Sequence, residues 1–245
     1  MNGIIAAIGA SFSWTYACFI WRSQANKFNA IDINFLKNLF AFIFFLPLVI
    51  LKFNFAIENK YIFILFISGV LGIGLGDTFY LKSLKLIGTR KTLSIESLSP
   101  LIAAITGNIF INENLSIRSW IGIISVSISL VVIIKKQTQL INENDNLIFT
   151  SSNPKNYIFA FLSVFCAVIA ALISRYVFLQ INISPIITTE IRLLGGIFFL
   201  LLFSKFKINF FINKIRTNEK IIFIISILLG TNFGILLQQI VFKTL

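Results

Sequence analysis

The chain has 245 residues, of which 57% are hydrophobic and only 12% are charged, about half the charged share of a soluble globular domain. Apolar runs of roughly 20 residues recur along it, and runs of this length can cross a bilayer. The net charge of +12 comes from basic residues, single or in pairs, where apolar runs end, which is typical of membrane flanks and argues against nucleic-acid binding.

Eight apolar stretches are therefore predicted to form an all-α, polytopic membrane helix bundle in a lipid bilayer. Their approximate bounds are residues 3–21, 35–51, 61–81, 93–111, 117–134, 157–179, 184–204 and 221–242. The polar stretch 137–156 is rich in Asn and is predicted to link two units, residues 1–136 with five helices and residues 157–245 with three. The first run lacks a basic n-region and is interpreted as a true span rather than a signal peptide.

The two units resemble each other in sequence. With an offset of 158 residues, LGIGLGDTFYLKSLK around Gly72 matches LGTNFGILLQQIVFK around Gly230. An offset of 155 places Lys37 on Arg192. Because the first unit has an odd number of predicted spans, the second enters the membrane the other way up, which predicts an inverted repeat.

Glycines lie along the third and eighth predicted spans. Gly69, Gly72 and Gly76 fall on one helix face, and Gly230 and Gly234 occupy matching places in the second unit. Small residues on one face let membrane helices approach closely, so these five glycines are predicted to pack helices.

Basic residues are distributed unevenly between the two sides of the predicted bundle. Loops after the first, third, fifth and seventh spans carry fifteen Lys and Arg residues, and the opposite side carries five. The positive-inside rule then predicts that the fifteen face the cytoplasm and that the N-terminus faces outwards. The protein is expected to be a multi-pass protein of the plasma (inner) membrane.

Asp77 lies near the end of the third predicted span, with Tyr80 one turn further on. An intramembrane charge is costly and needs a reason. Two interpretations remain open. Asp77 couples a proton or cation to transport through a cavity, or it is an interfacial carboxylate paired with a nearby Lys or Arg.

Glu96 is predicted to begin the fourth span, with Ser99 at helical spacing and Pro100 in mid-span. Pro100 cannot donate to the carbonyl of Glu96, so a free carbonyl beside a carboxylate is predicted to line a substrate pathway. The alternative is a helix-terminal charge that complements the dipole, with Pro100 only kinking the span.

Three further side chains are candidates for the substrate pathway. Trp14 lies in the first span, where it stacks on a flat or cationic ligand or simply packs. Gln238 and Gln239 are polar residues of the last span, and their amides bond either across helices or to a substrate.

Lys37, Glu190 and Arg192 lie near the starts of the second and seventh predicted spans. Here the sequence favours interfacial anchors whose charged ends reach the membrane surface. The alternative is a partner for a charge on the substrate.

Three segments, GDTFYLKSLKLIG, SLSPLIAAITG and NENLSIRSWIG, resemble the signature of EamA-type proteins of the drug/metabolite transporter superfamily. The matching positions are Gly72 and Gly76 in the third span, Pro100 in the fourth, Glu113 to Leu115 after it and Gly122 in the fifth. The resemblance implies a secondary transporter that moves a small metabolite or drug-like solute by alternating access between two inverted repeats. A coupling proton or cation, or the substrate's own gradient, would drive it.

One departure from the family pattern leaves an alternative open. The family has ten spans, whereas eight are predicted here, so the second repeat lacks its last two helices. The alternative is a truncated, non-transporting remnant, or a half-partner completed by a homodimer or by a partner chain.

An enzyme is not expected. The sequence has no histidine, which removes imidazole metal sites and acid–base chemistry by histidine. It also contains neither a GxSxG motif nor a GxxxxGK[ST] loop. No cofactor and no metal site are predicted.

Overall fold

The computed structural model describes residues 3–52, 57–112, 115–144, 154–204 and 217–244, and this part of the chain is helical without a strand. The α-helices are α1 (Gly3–Lys27), α2 (Ala30–Lys52), α3 (Asn59–Gly69), α4 (Asp77–Glu96), α5 (Ser99–Ile111), α6 (Ile117–Asn144), α7 (Tyr157–Gln180), α8 (Pro185–Phe203), α9 (Thr217–Ser226) and α10 (Gly234–Thr244). A π-helical segment, Val70–Gly76, joins α3 to α4, and a second, Ile227–Phe233, joins α9 to α10.

Six helical stretches in the described part of the chain are long and apolar enough to cross a membrane. They are Gly3–Ala25, Ala30–Leu51, Asn59–Glu96, Tyr157–Gln180, Pro185–Phe203 and Glu219–Thr244. The predicted fourth span overlaps α5, a shorter apolar helix, and the predicted fifth span overlaps α6, which begins at Ile117 and continues to Asn144.

The outer surface of this bundle is apolar. Large hydrophobic side chains such as Phe12, Leu51, Phe110 and Ile117 are more than 70% exposed, at 74%, 82%, 75% and 78%. A soluble protein rarely exposes so many, and a helical surface of this kind fits a lipid bilayer.

The connection between the third and fourth predicted spans differs from expectation. The predicted spans 61–81 and 93–111 leave a basic turn over residues 82–91 between them, whereas in the structure two helical stretches between Asn59 and Glu96 meet directly at a kink inside that segment. Only Gly88 leaves the helical conformation, with φ 82° and ψ 166°. Because that conformation is essentially restricted to glycine, one residue redirects the chain and no polar loop is needed.

The prediction of Pro100 in mid-span is wrong as well. Glu96 ends α4 instead of beginning a span, and Pro100 lies in the first turn of α5. A proline is tolerated there, because the first N–H groups of a helix have no intrahelical acceptor. Pro100 therefore does not kink a helix interior.

Two further expectations concern the predicted linker and Glu113. Helix α6 continues to Asn144, which is inside the segment 137–156 that is predicted as a linker. Residues 145–153 and Glu113 of the family signature lie outside the described residues.

Helices of the two units are interleaved in the bundle. Helix α1 packs on α10 and the second π segment, and α7 packs on α4 and the first π segment. Helix α2 packs on α8, which also contacts α3. The largest buried cluster accordingly joins side chains from both units, including Trp21, Leu36, Leu84, Leu193 and Ile227.

All five glycines predicted to pack helices lie at helix contacts. In the first unit, a Cβ atom added at Gly69 would lie 2.0 Å from the carbonyl oxygen of Arg192, one at Gly72 would lie 2.7 Å from Cβ of Ala170, and one at Gly76 would lie 3.3 Å from Cβ of Cys166. In the second unit, a Cβ atom at Gly230 would lie 2.3 Å from Cβ of Ala17, and one at Gly234 would lie 2.5 Å from Nε1 of Trp14. The shortest of these distances leave no room for a methyl group, so the helices approach closely because these positions lack a side chain.

Candidate functional site

A cavity of about 300 Å³ lies where the two units meet. Its walls come from α1, α2, α4, α7, α8, α10 and both π segments. The lining residues are Ser11, Trp14, Thr15, Trp21, Lys37, Gly72, Ile73, Gly76, Asp77, Tyr80, Leu93, Glu96, Ser163, Ala167, Arg192, Gly230, Thr231, Ile235 and Gln238. This volume is at the lower end of the range for pockets that bind small molecules.

Five of the eight predicted pathway residues line this cavity: Trp14, Asp77, Tyr80, Glu96 and Gln238. The other three do not. Ser99 and Pro100 are in the first turn of α5. Gln239 is fully buried, and neither of its amide atoms has a hydrogen-bond partner among the described residues.

Matching positions of the two units lie together in the cavity wall. The pairs Gly72 and Gly230, Ile73 and Thr231, and Tyr80 and Gln238 are 158 residues apart, and Lys37 and Arg192 are 155 apart. Asp77 is matched by the apolar Ile235. Residues at matched positions thus line the cavity in both units. At the position of Asp77, however, only the first unit has a carboxylate, because the second has Ile235.

An ion pair between α2 and α4 forms one side of the cavity. The Lys37 Nζ donates a hydrogen bond to Oδ2 of Asp77 and lies 4.5 Å from the ring centroid of Trp21. Lys37 is 2% exposed, so its interpretation as an interfacial anchor is wrong. Asp77 does have a Lys partner, but the pair lies inside the bundle.

Arg192 and Glu190 are also buried, at 4% and 3% exposed, and are not interfacial anchors. The reason is the position of α8, which is buried at every residue from Ile187 to Leu193 and has no lipid-facing side there. The Nε and Nη1 atoms of Arg192 and both carboxylate oxygens of Glu190 have no hydrogen-bond partner in the described part of the chain.

Glu96 lines the cavity from the end of α4. Ser163 on α7 donates a hydrogen bond of 3.4 Å to Oε1 of Glu96 and a shorter one, 2.8 Å, to the carbonyl of Ala160. Nearby, the Tyr80 hydroxyl donates to Sγ of Cys18 at 3.0 Å. The Glu96 carboxylate therefore has one weak protein partner and can accept further hydrogen bonds.

Asparagine amides hold both π segments against α2. Asn34 on α2 donates from Nδ2 to the carbonyls of Ile73, at 2.7 Å, and Gly74, at 3.3 Å. In the second π segment, Asn232 donates to the carbonyl of Ala41 at 3.0 Å. π-helical segments are frequent at functional sites, and here both contribute to the cavity wall.

Several cavity residues were not predicted from the sequence as pathway residues. They include Thr15, Trp21, Leu93, Ser163, Ala167, Thr231 and Ile235. The offset of 158 residues that pairs Gly72 with Gly230 also pairs Ile73 with Thr231. Thr231 could therefore have been predicted from its place next to a matched glycine. Nothing comparable identifies Ser163.

Comparison with known proteins gives three results. A model of the EamA-like transporter family matches residues 1–135. An uncharacterized transporter from Archaeoglobus fulgidus is 27% identical over 134 residues, which are 54% of this chain and 48% of the relative, so the match spans about half of the relative's length. A protein of known crystal structure has a similar fold, with a TM-score of 0.64 and 13% identity over 96% of this chain and 79% of that chain.

Proposed function

Because this chain belongs to the EamA-like transporter family, we propose that it is a secondary transporter that moves a small solute across the membrane. One observation carries this proposal: a cavity inside an apolar helical bundle is lined by charged, amide and aromatic side chains from matching positions of two units. Burying charges within membrane helices is costly, and such charges commonly mark a pathway for ions or substrates.

The arrangement of the helices supports alternating access as the mechanism. Each unit packs its first helix on the π segment and following helix of the other unit, as α1 does with α10 and α7 with α4. The two π segments lie at nearly matching positions, in the cavity wall. If the units are inverted repeats, rocking one against the other exposes the cavity to the two sides in turn.

Two carboxylates are proposed to couple transport to a proton or another cation. Asp77 exchanges between its ion pair with Lys37 and a bound cation, whereas Glu96 has only a long hydrogen bond from Ser163. Trp14, Trp21 and Tyr80 provide flat surfaces against which an apolar part of the solute stacks.

Transport by the purified chain in proteoliposomes tests this function. A panel of neutral, cationic and anionic metabolites is applied by rapid solution exchange, and charge movement and radiolabel uptake are recorded. We expect saturable transport of at least one class, and a reduced response to an imposed proton gradient in Glu96→Gln or Asp77→Asn. Arg90→Gln serves as a control, because Arg90 is exposed and does not line the cavity.

Two outcomes contradict the proposal in different ways. Unchanged coupling in both carboxylate variants would exclude Asp77 and Glu96 as coupling groups. No saturable transport of any solute by folded protein would instead favour the alternative of a non-transporting remnant or half-partner.

A further inference from the structure

Arg192 is a charged residue of the cavity wall with N–H groups that have no hydrogen-bond partner among the described residues. The charged side chains in the cavity wall are Lys37, Asp77, Glu96 and Arg192. Lys37 and Asp77 form an ion pair with each other. Arg192 is 4% exposed, yet its Nε and Nη1 have no hydrogen-bond partner among the described residues. A desolvated guanidinium with open N–H groups is unfavourable unless another group completes its hydrogen bonds.

The neighbouring carboxylates do not complete them. Asp77 interacts with Arg192 electrostatically, but its Oδ2 accepts a hydrogen bond from Lys37. Glu190 lies two residues before Arg192 on α8, which is about 200° around the helix, and it does not line the cavity. Arg192 lines the cavity, and Nη2 is the nitrogen of its guanidinium that is not enclosed by protein, whereas Nε and Nη1 are both enclosed and unpartnered among the described residues.

The second carboxylate of the cavity wall, Glu96, lies at a different level of the cavity. Glu96 accepts a hydrogen bond from Ser163 on α7, whereas Gly72, which contacts Arg192, packs on Ala170 of the same helix. Seven residues separate Ser163 from Ala170, which corresponds to roughly 10 Å along α7. The end of the cavity near Arg192 thus has two cations, Lys37 and Arg192, and one carboxylate, Asp77.

Gly72 leaves space beside the guanidinium. A Cβ atom added at Gly72 would lie 3.1 Å from Nη2 of Arg192. Its absence keeps this edge of the planar group accessible from the cavity. An arginine guanidinium donates charge-assisted hydrogen bonds to the oxygens of a carboxylate or a phosphonate, and here Nη2 is the group placed to do so.

We infer that Arg192 binds an oxyanion group of the substrate, and that the transported solute is therefore a small organic anion. The inference rests on the proposed transport function and specifies its substrate class. The excess positive charge near Arg192 attracts the anionic group, and the rings of Trp14, Trp21 and Tyr80 contact an apolar or aromatic remainder.

Binding of two probes that differ in charge but hardly in shape tests this inference. Benzoate and benzamide are titrated into the full chain in lipid nanodiscs, and binding is followed by calorimetry and by tryptophan fluorescence. We expect benzoate to bind more tightly than benzamide. In Arg192→Gln the affinity for benzoate should fall by about tenfold to 100-fold, the range for hydrogen bonds to a charged group, while benzamide affinity is unchanged.

Two variants control for loss of charge and loss of fold. Arg90→Gln removes an exposed positive charge outside the cavity and should leave the affinity for benzoate unchanged. Arg192→Lys keeps the charge but removes the guanidinium, and its affinity should be intermediate. Should Arg192→Gln fail to fold, the comparison of wild type with Arg192→Lys remains decisive, with size-exclusion profile and Tm as the criteria of folding.

The inference is overturned if wild type does not bind benzoate, if benzamide binds equally well, or if substitution of Arg192 affects both probes equally. Its failure is distinct from failure of the proposed function. Transport of neutral or cationic solutes without transport of anions contradicts only the anionic substrate class. Absence of transport for every solute contradicts the transporter function itself.

Discussion

Lys37 on α2 and Arg192 on α8 lie at matching positions of the two units, and both reach the same cavity. Their surroundings differ, because Asp77 pairs with Lys37 while its counterpart in the second unit is Ile235. A cation is therefore present in both halves, but this carboxylate partner is present in only one. Residues 1–136 thus contribute an ion pair to the cavity, whereas residues 157–245 contribute the cation alone at the matched positions.

Lys37 and Asp77 should each depend on the other for their contribution to stability. In Asp77→Asn the buried Lys37 loses its counter-charge, but the Asp77 side chain is 34% exposed, so the loss should be smaller than the value of about 3 kcal/mol typical of a fully buried pair. We expect a lower Tm in detergent for Asp77→Asn and for Lys37→Met. The double variant removes both charges and should recover part of the loss. Equal, additive effects of the two substitutions would show that the pair is not coupled.

Gly72 and Gly230 should tolerate alanine poorly. A methyl group at Gly230 would lie 2.3 Å from Cβ of Ala17, and one at Gly72 would lie 2.7 Å from Cβ of Ala170. Forced overpacking of this kind costs about 1–3 kcal/mol, so both variants should have a lower Tm. Gly122→Ala is the matched control, since no atom lies within 4 Å of its added Cβ. Alanine there should be neutral or stabilising because of its higher helix propensity. A similar Tm for all three variants would contradict close packing at Gly72 and Gly230.

The apolar spans and the packing glycines were predictable because both depend on local composition. Long apolar runs give helices, and glycines on one face of a run indicate close helix contacts. The helix bounds at residues 184–204 and 157–179 differ from those of α8 and α7 by one residue at most.

The surroundings of the charged residues were not predictable from local sequence. Lys37 and Arg192 lie near span ends in the sequence, which favours a surface position, but other helices cover α2 and α8 at these residues. The break at Gly88 falls inside the turn predicted over residues 82–91, but the sequence does not show that a single residue with φ 82° makes it. The misplaced start of the next helix then put Pro100 in mid-span.

Gly88 should be essential to the position of Glu96. Its φ of 82° and ψ of 166° belong to a region that other residues essentially do not adopt, and forcing alanine into it costs about 1–3 kcal/mol. We expect Gly88→Ala to lower the Tm, and Gly88→Asn to do so as well, because asparagine tolerates the left-handed helical region but not this one. Full stability of Gly88→Ala would mean that the helix runs straight through residue 88.

Asn34 should stabilise the first π segment. It is fully buried, and its Nδ2 donates to the carbonyls of Ile73 and Gly74 and to Oγ1 of Thr78. Aspartate has the same shape but replaces the donor with a charged oxygen that faces these acceptors. Leaving a buried acceptor unsatisfied costs about 1–3 kcal/mol, and the carboxylate adds repulsion. We therefore expect the Tm to fall more in Asn34→Asp than in the apolar variant Asn34→Leu.

Asn29→Asp provides the control for this prediction, because it makes the same chemical change at an exposed residue just before α2. A negative charge at a helix N-terminus is favourable, so its Tm should be unchanged or slightly higher. If Asn34→Asp retains the Tm of wild type, the amide of Asn34 is not what holds the π segment against α2. If both Asn34 variants also lose transport, the donor of Asn34 maintains the shape of the cavity wall at Ile73, whereas loss of transport in Asn34→Asp alone would assign the effect to the introduced charge.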